Sequence, residues 1–196
     1  MPDTRNSDTF KLSLAAQTPE TALPEARAIL EKAKAQVGFI PNMYAGMVNS
    51  PALLEAYLDG YGRFRNATGF SALEQEVIFL TISCVNGCEY CVAAHSFIAD
   101  KKSGVPAEVT DTIRAGDPVG DARLGALVRF TRILVESRGR PTIAEAATFL
   151  EAGYTEQNIL EIILAISVKT ISNYANHVLH TPLDPMFAGR VWSQAA

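Results

Sequence analysis

Residues 73–85 restrict the fold of this chain more than any others. Ser71-Ala72-Leu73-Glu74 reads as a capping box, in which Ser71 and Glu74 satisfy each other's backbone N–H groups. The helix it opens carries Leu73, Val77, Ile78, Phe79, Leu80, Ile82 and Val85, which leave little polar face. A helix that is apolar nearly all round must be covered on most sides by other elements. No segment shows sustained period-two alternation with turn signals, so the covering elements are helices and the fold class is all-α. Ile159–Val168 is β-branched enough to suggest a strand. Its length and the positions of Asn158, Glu161 and Lys169 fit a buried helix better.

The remaining punctuation is consistent with a helical array. Pro24 suits the first position of a helix that runs to about Val37, with Gly38 as its stop. A turn at Phe39–Asn42 leads to a short helix over Met43–Val48, and Ser50-Pro51 opens another that reaches about Phe64. Asn86-Gly87 breaks the apolar helix, and Asn86 with Glu89 reads as the capped start of the next, which ends near Ser103-Gly104. Further helices are expected from Pro106 to Gly116, over Ala122–Ser137, over Ile143–Ala152 behind Thr142 and Glu145, and from about Thr155 to His177. Residues 1–20 read as a loose segment, 21–187 as a single helical domain and 188–196 as a C-terminal tail. A weak internal repeat aligns Ile78–Ser83 with Ile162–Ser167 and Tyr90 with Tyr174, which would make two related helical halves if it reflects duplication.

Composition limits the function classes. In 196 residues, 48% are hydrophobic and 19% charged, enough to bury a core without disulfide staples. A net charge of −4 argues against nucleic acid as a partner. The start lacks the apolar run of a signal peptide, and no apolar stretch reaches membrane-spanning length, so a cytoplasmic protein without a membrane partner is expected. The cysteine count of 3 is odd and low for a secreted disulfide framework, so the thiols need another explanation.

That explanation lies between Glu76 and His95. Cys88 and Cys91 form a C-x-x-C, and helical spacing places them on one stripe with His95. Two thiols so spaced can close a disulfide within one turn. With Asn86 as N-cap, Cys88 lies in the first turn, where free N–H groups and the dipole favour a thiolate, so this reading gives Cys88 the lower pKa. His95 can take or supply a proton, and Glu76, a carboxylate on an apolar helix, needs a partner such as His95. Tyr90 and His177 are possible accessory residues, Tyr90 as a donor to a thiolate or substrate oxygen and His177 within the polar segment Asn173–His177, which could frame the site or an oligomer contact. Alternatives stand beside each. Cys84, Cys88, Cys91 and His95 offer four zinc ligands, although zinc sites usually draw them from two separated segments. Tyr90 can be a packing aromatic, His177 a helix C-terminal residue, Glu76 a surface carboxylate and Cys84 a small core residue.

With these residues the chain resembles the alkylhydroperoxidase D (AhpD)-like branch of the carboxymuconolactone decarboxylase superfamily. The specific part is Glu76 followed by Cys88-Glu89-Tyr90-Cys91 and His95. Gly38–Asn42, Asn173–His177 and Thr181–Asp184 resemble the peroxidase-related subgroup. The resemblance implies an AhpD-like helical bundle, a homo-oligomer (often a trimer or hexamer), and thiol-dependent reduction of hydroperoxides by a redox-active cysteine pair. No cofactor or metal is implied; the partners are a hydroperoxide and an external dithiol or redox protein. By motif position Cys91 corresponds to the attacking cysteine, Cys88 to its resolving partner, and Glu76 and His95 to a proton relay. Tyr90 departs from the histidine that many members carry between the cysteines. The C-x-x-C argues against lactone decarboxylation, since decarboxylase members lack it. A disulfide oxidoreductase that serves a peroxiredoxin is the alternative function, and a structural zinc protein a further one.

Overall fold

The computed structural model describes residues 9–194; residues 1–8 of the expected loose segment and 195–196 of the expected tail lie outside the described residues. Among the described residues there are nine α-helices and no strand: α1 (Pro24–Val37), α2 (Asn42–Met47), α3 (Pro51–Ala67), α4 (Ala72–Val85), α5 (Glu89–Ile98), α6 (Ala107–Ala115), α7 (Ala122–Glu136), α8 (Ile143–Glu151) and α9 (Glu156–Leu179). A π-helical turn, Ala99–Ser103, extends α5, and a 3-10 turn, Pro185–Arg190, follows α9. The all-α reading and the order of helices hold.

Helix α4 is the axis of the molecule. Every residue from Gln75 to Ser83 is buried, and α3, α5, α6, α7 and α9 all pack against it. Its start is the expected capping box, with Ser71 accepting from the Glu74 N–H. The hydroxyls inside it are satisfied locally, Thr81 donating to the Val77 carbonyl and Ser83 to that of Phe79. Capping boxes also start α8 (Thr142 with Glu145) and α9 (Thr155 with Asn158). Helix α3 runs past the expected stop at Phe64 to Ala67.

Helix α9 is the second organising element. It continues unbroken through the stretch that aligns with Asn86-Gly87 in the weak repeat, so the two aligned segments differ where the first is broken. Near its start, the buried Glu161 carboxylate accepts from the Gly69 N–H at 3.0 Å and so fastens the turn between α3 and α4. The flanking segments are also tied down. In the expected loose stretch, the Leu12 N–H donates to the Val178 carbonyl and the Gln17 N–H to that of Ala45, each at 2.8 Å. In the tail, the Trp192 indole donates to the Arg114 carbonyl at 2.9 Å. Among the described residues, no helix is long and apolar enough to cross a membrane.

Candidate active site

The joint between α4 and α5 differs from the expected one in a way that matters for the thiols. Asn86 does not cap α5: it closes α4, and its side-chain amide donates to Asn173 Oδ1 on α9 at 2.9 Å. Gly87 follows with φ +67, a left-handed conformation that glycine adopts without penalty. The Cys88 N–H then reaches back to the Ser83 carbonyl at 3.0 Å, a Schellman-type closure. Cys88 is therefore the N-cap of α5 and ends α4 at the same time. It stands before the first helical turn and not within it.

The two thiols sit side by side and are almost wholly buried, Cys88 at 1% and Cys91 at 2% exposure. Asn176 on α9 donates through Nδ2 to Cys91 Sγ at 3.2 Å, with Cys88 Sγ at 3.8 Å. Lys169, two turns back on α9 and 0% exposed, lines the same cavity as Cys91, and its positive charge acts on that thiol. Burial alone would raise both thiols. The hydrogen bond from Cys88 and the nearby Lys169 and His95 outweigh it at Cys91, which is held well below the usual thiol range. Cys88 is pushed well above that range by burial and by its bond to Cys91. The expected ordering, with the lower pKa at Cys88, is thus reversed: the cation and amide that favour a thiolate come from α9 and converge on Cys91. Cys84 is half-buried against the core and pushed up to about 12 by burial, in keeping with a packing role.

Behind Cys91 runs a chain of buried polar groups. Lys169 Nζ lies 2.9 Å from His95 Nε2, and His95 Nδ1 lies 2.8 Å from Glu76 Oε2. The other oxygen of Glu76 accepts from Arg65, whose guanidinium also donates to the Tyr61 hydroxyl at 2.8 Å. Burial would push Glu76 up, but His95 and Arg65 hold it below the usual carboxylate range. His95 is held below its usual value by burial and by Lys169, against the pull of Glu76.

These shifts carry a pH dependence. An imidazole that binds protons less readily when folded makes acid favour unfolding. Its contribution to stability is complete above the usual value of 6.5 and declines as pH falls below it. Glu76 acts in the same direction lower down, its contribution being present above 4.5 and lost as pH falls through the folded value. The urea midpoint should therefore drop between about pH 7 and pH 5, well before general acid denaturation. A flat midpoint over that interval would contradict a neutral, buried His95.

Two cavities flank the cysteines. One, of about 130 Å³, reaches Cys91, His95 and Lys169 and is walled largely by rings, among them Phe39, Tyr57 and Phe97. The other, of about 370 Å³, is more polar and meets Cys88, with Asn176 and His177 on its wall. His177 is exposed and borders only this second cavity. Tyr90 lines both, but its hydroxyl is committed to the buried Asp184 carboxylate, which also accepts from the Asn42 N–H at 3.2 Å. Tyr90 thus straps the C-terminal segment to α5 and does not donate to a thiolate. Tyr90→Phe should cost about 1–3 kcal/mol by removing a donor from a buried carboxylate. An unchanged unfolding midpoint would show that the strap carries no weight.

Of the residues singled out by spacing, Glu76, Cys88, Cys91 and His95 come together. Asn176, from the polar segment Asn173–His177, borders the cluster, and Arg65 and Lys169, to which spacing gives no part, complete it. Among the described residues, no three His, Cys, Asp or Glu side chains converge as a metal site.

Residues 51–132 match the carboxymuconolactone decarboxylase family. Curated proteins gave no match. Among solved structures, a peroxidase-related protein with an alkylhydroperoxidase AhpD core from Ralstonia eutropha JMP134 is 19% identical, with a TM-score of 0.77 over 92% of this chain and 97% of that one. A peroxidase-related protein from Silicibacter sp. TM1040 is 19% identical, with a TM-score of 0.74 over 93% and 98%. The debrominase Bmp8, in complex with 2,3,4-tribromopyrrole, is 16% identical, with a TM-score of 0.75 over 93% and 97%. The matched segment holds Glu76, both cavity-facing cysteines and His95, so this part of the chain is similar to the carboxymuconolactone decarboxylase family, and the chain as a whole has an AhpD-like helical fold.

Proposed function

We propose that the protein is a thiol peroxidase that reduces small organic hydroperoxides with electrons from an external dithiol, using its cysteine pair and no cofactor. The observation that carries this reading is the pairing of a favoured thiolate with an adjacent protonated thiol at the wall of an aromatic cavity. The Cys91 thiolate attacks the distal peroxide oxygen: an S–O bond forms, the O–O bond breaks, and the alkoxide leaves as an alcohol after taking a proton from the polar chain behind Cys91. Cys88 then displaces the sulfenic oxygen as water, leaving a Cys88–Cys91 disulfide, and dithiol exchange restores both thiols. The polar cavity beside Cys88 suits entry of the reductant.

The test is mass spectrometry after one equivalent of hydroperoxide, joined to turnover with a dithiol. A Cys88–Cys91 disulfide with Cys84 free, and sustained turnover, are expected. Rapid disulfide exchange without peroxide turnover would instead indicate the redox-adaptor alternative. The ring-lined cavity also predicts that tert-butyl hydroperoxide exceeds hydrogen peroxide in kcat/KM by about tenfold or more, since each buried apolar carbon adds on the order of 1 kcal/mol.

The same lining favours a second reading. A halogenated aromatic ring fits such walls, and a dithiol can remove its halogen. Cys91 takes the halogen, the ring carbon gains a proton, and Cys88 expels halide as the disulfide forms. Halide release from a bromopyrrole, compared with hydroperoxide turnover under the same dithiol, separates the two. We also propose a homo-oligomer. Leu160, Ile163, Tyr174 and Val178 lie exposed along one face of α9, 68%, 46%, 59% and 39% accessible in turn, and a second copy would cover them.

A further inference from the structure

Lys169 occupies a position that the expected carboxylate–imidazole–thiol relay does not contain. Its Nζ lies 2.9 Å from the ring nitrogen His95 Nε2, it shares the wall of the ring-lined cavity with Cys91, and it is wholly buried. An ammonium group has only donors, so His95 Nε2 must accept from it. The ring proton is then on Nδ1, where it faces Glu76 Oε2 at 2.8 Å. Both nitrogens of His95 are occupied, and neither is left for sulfur.

The charges point the same way. Glu76 is the anion that Arg65 and, through His95, Lys169 share. With His95 neutral, two cations, the buried Lys169 and the half-buried Arg65, face one carboxylate. The other titratable groups about Cys91 are Cys88 and Tyr90 on α5 and Tyr57 on α3, with Tyr44, Tyr61 and the exposed Lys102 further along the same cavity and the buried Asp184 carboxylate beyond Tyr90, accepting from its hydroxyl. Burial keeps the Cys88 thiol and the phenols protonated. Among Arg65, Glu76, Lys169 and Cys91 the charges cancel only when Cys91 is a thiolate, and an uncompensated buried charge is costly.

We infer that Lys169 is the catalytic residue that exchanges a proton with Cys91, while His95 and Glu76 are positioning residues that hold Lys169 against the sulfur. The inference rests on the proposed thiol chemistry of Cys91 and assigns its proton. In the resting site the pair is thiolate and ammonium. When sulfur attacks the peroxide, the S–O bond forms, the O–O bond breaks, and Lys169 gives one proton to the departing alkoxide. Thiolate and ammonium charges disappear together, so the cluster stays neutral. Condensation of the Cys88 thiol with the Cys91 sulfenic acid releases water with no net proton taken from Lys169. Dithiol reduction of the disulfide returns the proton that restores the ammonium and the Cys91 thiolate.

The experiment is the pH profile of iodoacetamide alkylation at Cys91, read by site with mass spectrometry. Lys169→Met should raise the midpoint by about one to three pH units. Lys169→Arg should keep it low, because the charge remains, yet slow peroxide turnover, because a guanidinium does not yield its proton. His95→Ala should move the midpoint less than Lys169→Met does. A larger shift from His95→Ala, or none from Lys169→Met, overturns the inference. Nitrogen NMR of the unsubstituted protein is independent of whether variants fold. A neutral His95 protonated on Nδ1 at pH 7 supports the inference, and an imidazolium or a ring protonated on Nε2 overturns it. Failure of the peroxidase reading is distinguishable: it leaves a Lys169-dependent alkylation profile in a protein that turns over no hydroperoxide.

Discussion

Cys91→Ser should lower dithiol-dependent hydroperoxide turnover by at least about three orders of magnitude, as removal of a nucleophile commonly does. A serine hydroxyl in the same place cannot become an anion beside Lys169 near neutral pH, and it cannot carry an S–S bond. Cys88→Ser should fail differently. Cys91 in that variant remains beside Lys169 and Asn176, so the first equivalent of peroxide is still consumed. The sulfenic acid then has no partner, and it accumulates in a form that dimedone traps. Turnover stops after one cycle. Full multiple turnover in either variant would remove the disulfide from the catalytic sequence.

The largest stability loss is expected from Glu76→Ala. The carboxylate is 0% exposed and is bonded on one oxygen by Arg65 and on the other by His95. Its removal leaves Arg65 and Lys169 as buried or half-buried cations with no carboxylate between them. Breaking a buried charge pair in this way costs about 3–5 kcal/mol. Denaturant unfolding is the measurement, with Glu76→Gln expected to lose less because an amide oxygen can still accept one bond. A loss below about 1 kcal/mol for the alanine variant would mean that water replaces the carboxylate, which its burial argues against.

What the sequence made legible was mostly local. The Ser71–Glu74 and Thr142–Glu145 capping boxes, the Gly38 stop and the apolar run of α4 each depend on residues within a turn or two, and each formed as read. Glu76, Cys88, Cys91 and His95 were legible for the same reason, since they lie on two consecutive helices. Asn86 closes α4 instead of opening α5, and the chain alone does not distinguish the two, because an asparagine that caps a helix and one that bridges to a distant helix look the same in sequence. The difference is made by Asn173, whose proximity no local rule supplies. Lys169 left a faint sign: a lone lysine following the apolar run Ile159–Val168 must be paired if that run is buried. Periodicity does not say with what. Arg65 and Asn176 reach this cluster only because α3 and α9 cross beside α4, which is a property of packing and not of spacing.

The long separation in sequence between the thiols and Lys169 has a practical side. The sulfurs, the imidazole and the carboxylate all precede the turn between α7 and α8, while the ammonium and the Asn176 amide both follow it. That turn is exposed around Arg138–Arg140. Cut there, the chain gives two pieces that each hold half of the chemistry: one has a nucleophile without its cation, the other a cation without its nucleophile. Low-pH alkylation of Cys91 would then return only when the pieces find each other, which makes this thiol a built-in reporter of reassembly.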